Sequence, residues 1–162
     1  MSQKLVIKAL SNVQQKVDVS IDLKLLEKLL KRVSDREHSN CWGTTAYIAK
    51  GIPELKFIPE EKAKEFLKTC MRVRGRGKHR FGDIIAIYAN NEGAAKFWGR
   101  KGSLLHTAIC VGRGIYFHQQ GAHGEFKVGT LEELLKVYPG NVARYRARDT
   151  MMVAPSQTNR GE

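Results

Sequence analysis

The chain has 162 residues, a length that fits one domain and leaves little room for a second. Hydrophobic residues make up 42% of the chain, which is enough for a buried core. No stretch approaches the ~20 consecutive apolar residues of a membrane-spanning helix. The 28 basic and 16 acidic residues give a formal net charge of +12. That charge attracts polyanions such as nucleic acid, anionic lipid or an acidic cell wall, and does not choose among them.

The N-terminal residues and the cysteines indicate a cellular compartment. Lysines interrupt the apolar residues of positions 1–10 and no small-residue cleavage site follows, so we expect no secretory signal. We therefore expect a protein that is cytoplasmic at synthesis and that reaches a cell wall only by a non-classical route. The chain has three cysteines, Cys41, Cys70 and Cys110. An odd number, with no two close together in the sequence, argues against a disulfide framework. Cys70 and Cys110 fall in apolar patterns and are predicted to be packing residues.

The first half of the chain is predicted to be mostly helical. Residues 3–9 are predicted to form a short strand. Apolar residues at helical spacing predict helices over 20–33 and 59–70, and the flanking Asn40 and Gly51 predict a helix over 41–51. Asn40 is the predicted N-cap of the helix that begins at Cys41.

The second half is predicted to be mostly strands. Strands are predicted over 82–88, 106–111, 115–118, 125–128 and 142–148, with a helix over 130–137 that Thr130 and Glu133 cap as a capping box. Residues 72–80 are interpreted as a basic loop, 89–104 as a long loop and 154–162 as a disordered tail. Helices followed by mostly antiparallel strands predict an α+β fold.

Cys41 is a candidate nucleophile because it begins a helix. Unpaired N–H groups and the positive end of the helix dipole favour a thiolate there and lower its pKa. The same N–H groups can receive the negative oxygen of a tetrahedral intermediate. The small Gly43 nearby leaves room for a substrate backbone. Position alone leaves a buried structural cysteine equally open.

Two histidines supply the partners of a nucleophile. His106 begins a core-like strand directly after a loop, where an imidazole can face a thiolate on a neighbouring helix. His118 lies on the next strand, and a polar group beside the first histidine can fix its tautomer and ring orientation. Taken singly, each histidine is more often an incidental residue. In this order with Cys41, they form a pattern of nucleophile, base and orienting group.

The joint pattern resembles the NlpC family of papain-like peptidases, which cut bacterial peptidoglycan stem peptides. The resemblance covers about residues 38–140 and follows the family's order. The family's Asp-Cys-Ser-Gly helix start is matched by Asn40-Cys41-Trp42-Gly43, and its Gly-Asp strand entry by Gly82-Asp83. The strand with its catalytic histidine is matched by His106-Thr107-Ala108-Ile109, and its turn and third catalytic residue by Gly112-Arg113-Gly114 and His118. The chain lacks the family's Tyr-x-x-Gly-Gly element before the cysteine and carries Trp42 in place of a small serine.

This resemblance implies a papain-like, NlpC-type α+β fold with N-terminal helices packed on a mostly antiparallel sheet. It implies a single cysteine-hydrolase domain over 1–153, with a strand and helix region over 1–37 and a catalytic core over 38–150. Cys41 would be the nucleophile of a cysteine peptidase or amidase, with His106 as base and His118 as orienting group. The residues expected to bind substrate or oxyanion are Asn40, Trp42, Gly43 and Gln119.

The implied partner is a peptidoglycan fragment or another peptide-like substrate, and neither a cofactor nor a metal is expected. The setting would be that of a bacterial cell-wall endopeptidase, a phage lysin or a secreted antibacterial effector. The sequence names no inhibitory partner protein.

Three alternatives remain open at this point. The same fold could carry acyl transfer or deamidation on a non-wall substrate. A basic nucleic-acid-binding module would stack bases on Phe97 and Trp98. The phosphates would contact a polyanion-binding set, which consists of Arg72, Arg74, Arg76, Lys78 and Arg80. The plain interpretation of that set is a solvated charge run. Finally, the cysteine and the two histidines have the right types for zinc, although a papain-like arrangement puts them in a line rather than around a tetrahedral centre.

Overall fold

A computed structural model describes Lys31, Val33, residues 39–112 and residues 114–148. The predicted strand over 3–9, most of the predicted helix over 20–33 and the predicted tail over 154–162 lie outside the described residues. Within them the elements are α1 (Cys41–Ile48), α2 (Glu60–Thr69), β1 (Met71–Val73), β2 (Asp83–Ala89), α3 (Asn91–Lys96), β3 (Leu104–Gly112), β4 (Ile115–Gln119), β5 (Phe126–Thr130), α4 (Leu131–Val137) and β6 (Gly140–Arg146).

The six strands form one sheet in the order β1-β6-β2-β3-β4-β5, and every neighbouring pair is antiparallel. The predicted α+β class is therefore confirmed. In the part of the chain that the structure describes, no helix is both long and apolar enough to cross a bilayer.

Strand β2 lies in the middle of the sheet and is buried on both faces. Its run of apolar residues is typical of such a strand. One face packs on α1 and α2, and its core includes Ala46, Ile48, Leu55, Ile58, Ala63, Leu67, Ile84, Ala86, Ile109, Val111 and Phe117. The opposite face packs on α4, and its core comprises Ile85, Ile87, Ala108, Cys110, Tyr116, Leu134 and Tyr138. Cys110 thus lies in a core strand, as predicted.

Helix α1 begins where the sequence predicts. Asn40 has an extended backbone, and its side-chain oxygen accepts a hydrogen bond from the Gly43 N–H at 2.8 Å. Its amide nitrogen donates to the Ile58 carbonyl at 2.8 Å, which ties the helix start to the following loop. Gly43 packs so closely on that loop that a Cβ would lie 1.8 Å from the Lys56 carbonyl oxygen. The small residue therefore serves internal packing.

Helix α4 has the predicted capping box, with reciprocal hydrogen bonds between Thr130 and Glu133. Two predicted loops were wrong in part. The basic segment begins with strand β1, which pairs with β6. The segment over 89–104 contains α3, because the Asn90 side chain accepts from the Gly93 N–H at 2.9 Å and caps a helix there. Short elements with few apolar residues carry too little periodicity to be detected.

We expect Thr107→Val to destabilise the fold by about 1 to 3 kcal/mol, since the buried hydroxyl joins α1 to β3. It donates to the Cys41 carbonyl at 3.0 Å and contacts the Thr45 hydroxyl at 2.9 Å. Urea denaturation measures the loss. The matched control is Thr69→Val, which removes an exposed hydroxyl bonded to a carbonyl on its own helix. Equal losses in the two variants would contradict the role given to Thr107.

Candidate active site

The first turn of α1 is hydrogen-bonded to two strands at the point where their pairing ends. The pairing of β3 with β4 begins at Gly112 opposite Ile115 and ends at Ile109 opposite Phe117. A symmetric hairpin predicts His118 near Ile109, so the observed register differs from the predicted one by one residue. Beyond that pair, the Thr107 side chain of β3 bonds to α1.

Gln119 supplies the corresponding contact from β4. Its side-chain oxygen accepts from the hydroxyls of Ser39 and Thr44 at 2.7 and 2.8 Å. Its amide nitrogen donates to the Gly124 carbonyl at 3.1 Å. The start of α1, which carries Cys41, is therefore fixed against the ends of both strands.

His106 and His118 form a buried pair beside this point. Nε2 of His106 lies 3.0 Å from Nδ1 of His118, with the two rings nearly perpendicular. The exposed fractions of the two residues are 0% and 7%. Nδ1 of His106 is buried and has no hydrogen-bond partner among the described residues. If Nε2–H donates to His118, the unpaired Nδ1 carries a lone pair that can accept a proton.

The Cys41 thiol contacts the backbone of β3 at the residue after His106. Its sulfur accepts hydrogen bonds from backbone N–H groups, including that of Thr107, the residue after His106. These bonds lower the pKa, as the helix start predicts. Burial acts in the opposite direction and is larger, because Cys41 is only 5% exposed, and it raises the pKa of the thiol to about 12. The predicted thiolate is therefore wrong for this state of the protein.

Burial also keeps the two histidines uncharged. It lowers the pKa of His106 well below its ordinary value, and the charge of His118 adds to that shift. Burial lowers the pKa of His118 to about 4, against a smaller opposing contribution from a hydrogen bond with the Gln119 backbone. At neutral pH the site therefore holds a thiol and two neutral imidazoles instead of a thiolate–imidazolium pair.

Tyr138 also belongs to this site, and no pattern in the sequence indicates it. Its ring stacks on His106 with centroids 4.0 Å apart and planes 7° apart, and Phe97 stacks on Tyr138 in turn at 5.6 Å. Burial, and then the charge of Cys41, raises the pKa of the phenol to about 12, so the phenol lies within electrostatic reach of the thiol. A tyrosine after a short helix carries no signal that would predict this contact.

The residues predicted to bind substrate or oxyanion differ in whether their hydrogen-bonding groups are already used within the protein. The amides of Asn40 and Gln119 and the N–H of Gly43 are all used in internal hydrogen bonds. Trp42 is partly buried, and its Nε1–H has no hydrogen-bond partner among the described residues.

The predicted polyanion-binding residues lie at the other end of the sheet. Arg80 precedes the first residue of β2, whereas Ile87, near the last, pairs with His106. Phe97 and Trp98 follow α3, beyond the far end of β2, a separation of about 20 Å along the strand. The structure therefore does not bring the basic segment together with the aromatic pair or with the cysteine.

Arg72 also stands apart from the rest of the basic segment. It lies on β1, and its guanidinium donates to the Tyr145 hydroxyl at 3.0 Å and lies over that ring. Among the described residues, no three His, Cys, Asp or Glu side chains are grouped as a metal ion would require, which gives the zinc alternative no support.

Comparisons with protein-family models, with curated proteins and with solved structures found no match to this chain.

We expect the stability of the fold to decrease between pH 6.5 and about pH 4. In that range an unfolded His118 binds a proton that the folded residue does not, so unfolding takes up a proton and stability rises with pH. The full contribution, about 3 kcal/mol for this shift, is present above pH 6.5 and is lost toward pH 4. His106 adds to the effect in the same direction.

Urea denaturation at several pH values measures this dependence. His118→Gln is expected to reduce the slope of stability against pH, whatever its effect on absolute stability. The control is Gln120→Ala, which changes an exposed residue without a titratable group and should leave the slope unchanged. Parallel curves for wild type and His118→Gln would contradict the assignment.

Proposed function

We propose that the protein is a cysteine-dependent amide hydrolase with Cys41 as nucleophile, His106 as general base and His118 as orienting group. The observation that carries this proposal is the arrangement of the His106 ring. Its Nε2 is bonded to His118 at 3.0 Å, its Nδ1 is buried and unpaired, and the next backbone N–H contacts the sulfur of Cys41. A ring held at one nitrogen and free at the other suits proton transfer.

The reaction begins with a neutral thiol, because burial disfavours the ion pair. Nδ1 of His106 accepts the Cys41 proton as the sulfur attacks the carbonyl carbon of an amide. The resulting imidazolium donates that proton to the amide nitrogen as the carbon–nitrogen bond breaks, and the amine leaves a thioester on Cys41. His106 then takes a proton from water, whose hydroxide attacks the thioester, and the thiol is restored with release of a carboxylic acid.

The negative oxygen of the tetrahedral intermediate needs hydrogen-bond donors close to the sulfur. The backbone N–H groups at the first turn of α1 contact the Cys41 sulfur and can serve this purpose. The indole N–H of Trp42, the residue after the nucleophile, is a further donor, because it forms no hydrogen bond among the described residues. Tyr138 holds the His106 ring in its plane by stacking and excludes water from it.

For the substrate we propose a peptide bond in a peptidoglycan stem peptide, which the motif resemblance implies and the net charge of +12 suits. Acyl transfer to an amine is a second candidate. The nearly complete burial of Cys41 and His106 favours it, since an acyl-enzyme there is shielded from water. Adding a primary amine to the reaction distinguishes the two, because a transferase forms a new amide in preference to an acid.

We expect wild-type protein to release new fragments from purified peptidoglycan, and Cys41→Ala to release none, because the nucleophile is lost. Mass spectrometry of the products identifies the bond that is cut. The matched control is Cys70→Ser, which changes a half-buried cysteine just after α2, next to the Phe66 carbonyl, and should retain activity. Fragments from Cys41→Ala would rule out the nucleophile. No fragments from any variant would rule out this substrate.

We also expect alkylation of Cys41 by iodoacetamide to accelerate about tenfold per pH unit from pH 6 to pH 9, without a plateau, since only the thiolate reacts and its pKa is raised to about 12. Peptide mass spectrometry follows the label at Cys41 separately from that at Cys70. A rate that is already constant at neutral pH would instead indicate a preformed thiolate–imidazolium pair.

A further inference from the structure

Basic and non-basic residues alternate along the segment between β1 and β2. Four exposed cationic side chains occupy every second position, at Arg74, Arg76, Lys78 and Arg80, and are called here the basic ridge. The residues between them are Gly75, Gly77 and His79.

The second half of this segment, from Gly77 onward, is anchored to the rest of the protein. The Gly77 carbonyl accepts from the Arg144 guanidinium at 2.6 Å, and the His79 ring contacts the Tyr116 hydroxyl edge-on. The Arg80 N–H donates to the Asp83 carboxylate at 2.9 Å. The ridge is therefore preorganised, which reduces the entropy that a bound partner must remove.

The charge of the ridge is not balanced within the protein. Asp83 is the carboxylate beside it, and this side chain is buried with both oxygens bonded to Arg146, at 2.8 and 3.2 Å. Among the described residues, none of the four ridge side chains forms an ion pair. Four adjacent like charges repel one another, so a bound polyanion gains from relieving that repulsion.

We propose that the basic ridge binds nucleic acid through its phosphates, without contacting bases. Three of the four cations are arginines, whose planar guanidinium matches phosphate oxygens. Stacking is not expected, because Phe97 and Trp98 lie beyond the far end of β2. Gly75, Gly77 and His79 offer no apolar side chain to insert into a lipid bilayer.

The test measures binding of a fluorescein-labelled mixed-sequence DNA duplex by fluorescence anisotropy at salt concentrations from 50 to 200 mM. Four phosphate contacts predict a slope of log affinity against log salt of about −3.6. The single variant Arg76→Gln should reduce that slope by about one unit. The affinity should not depend on the base sequence of the duplex.

Two quadruple variants with the same net charge separate the ridge from the general field of the protein. The ridge variant is R74Q/R76Q/K78Q/R80Q, and the control changes exposed lysines on the loop before α2, on α2 and on α4, as K56Q/K62Q/K68Q/K136Q. We expect the ridge variant to lose more than tenfold in affinity at 100 mM salt and the control to lose much less.

Equal losses in the two variants would overturn the proposal, as would poly-glutamate competing as well as an oligonucleotide of equal charge. Arg76→Gln alters one exposed side chain, so it keeps the test valid if the quadruple variant fails to fold. The proposal does not depend on the hydrolase assignment, because Cys41→Ala protein should bind the duplex as well as wild type does.

Discussion

The hydrogen bonds that hold the first turn of α1 against two strands are the constraint on which the site depends. Thr107 of β3 and Gln119 of β4 bond to α1 just beyond the last residues at which these two strands pair with each other. The same two strands carry His106 and His118 one residue earlier in each case. A helix start that is fixed in this way keeps Cys41 against the backbone of β3, and loss of either contact would free the helix start from one strand.

The environment of Cys41 shows which of two opposing effects prevails. The helix start supplies N–H groups that favour a thiolate, and burial favours the neutral thiol. Burial prevails because Cys41 and both histidines are almost completely removed from water. The proposed reaction therefore needs a base that remains neutral at ordinary pH. The lowered pKa values of His106 and His118 meet that need.

The sheet separates two surfaces that sequence reasoning had treated together. The histidine pair and the exposed Trp98 belong to the end of the sheet at which β2 finishes, and the basic ridge precedes its start. The two proposed activities therefore use opposite ends of the same sheet. A nucleic-acid module that combined the ridge with Phe97 and Trp98 would need to span the length of β2.

The order of Cys41, His106 and His118 in the chain proposed them as a candidate trio through the motif resemblance. The sequence by itself determined the α+β class, the caps of α1 and α4 and the strand β2. These features follow from local patterns of apolar residues and capping side chains, which neighbouring residues encode. Only the tertiary structure decided the charge state of the thiol, the internal use of Gln119 and the stacking of Tyr138 on His106. Desolvation and contacts between distant residues depend on how the whole chain packs, so no local pattern contains them.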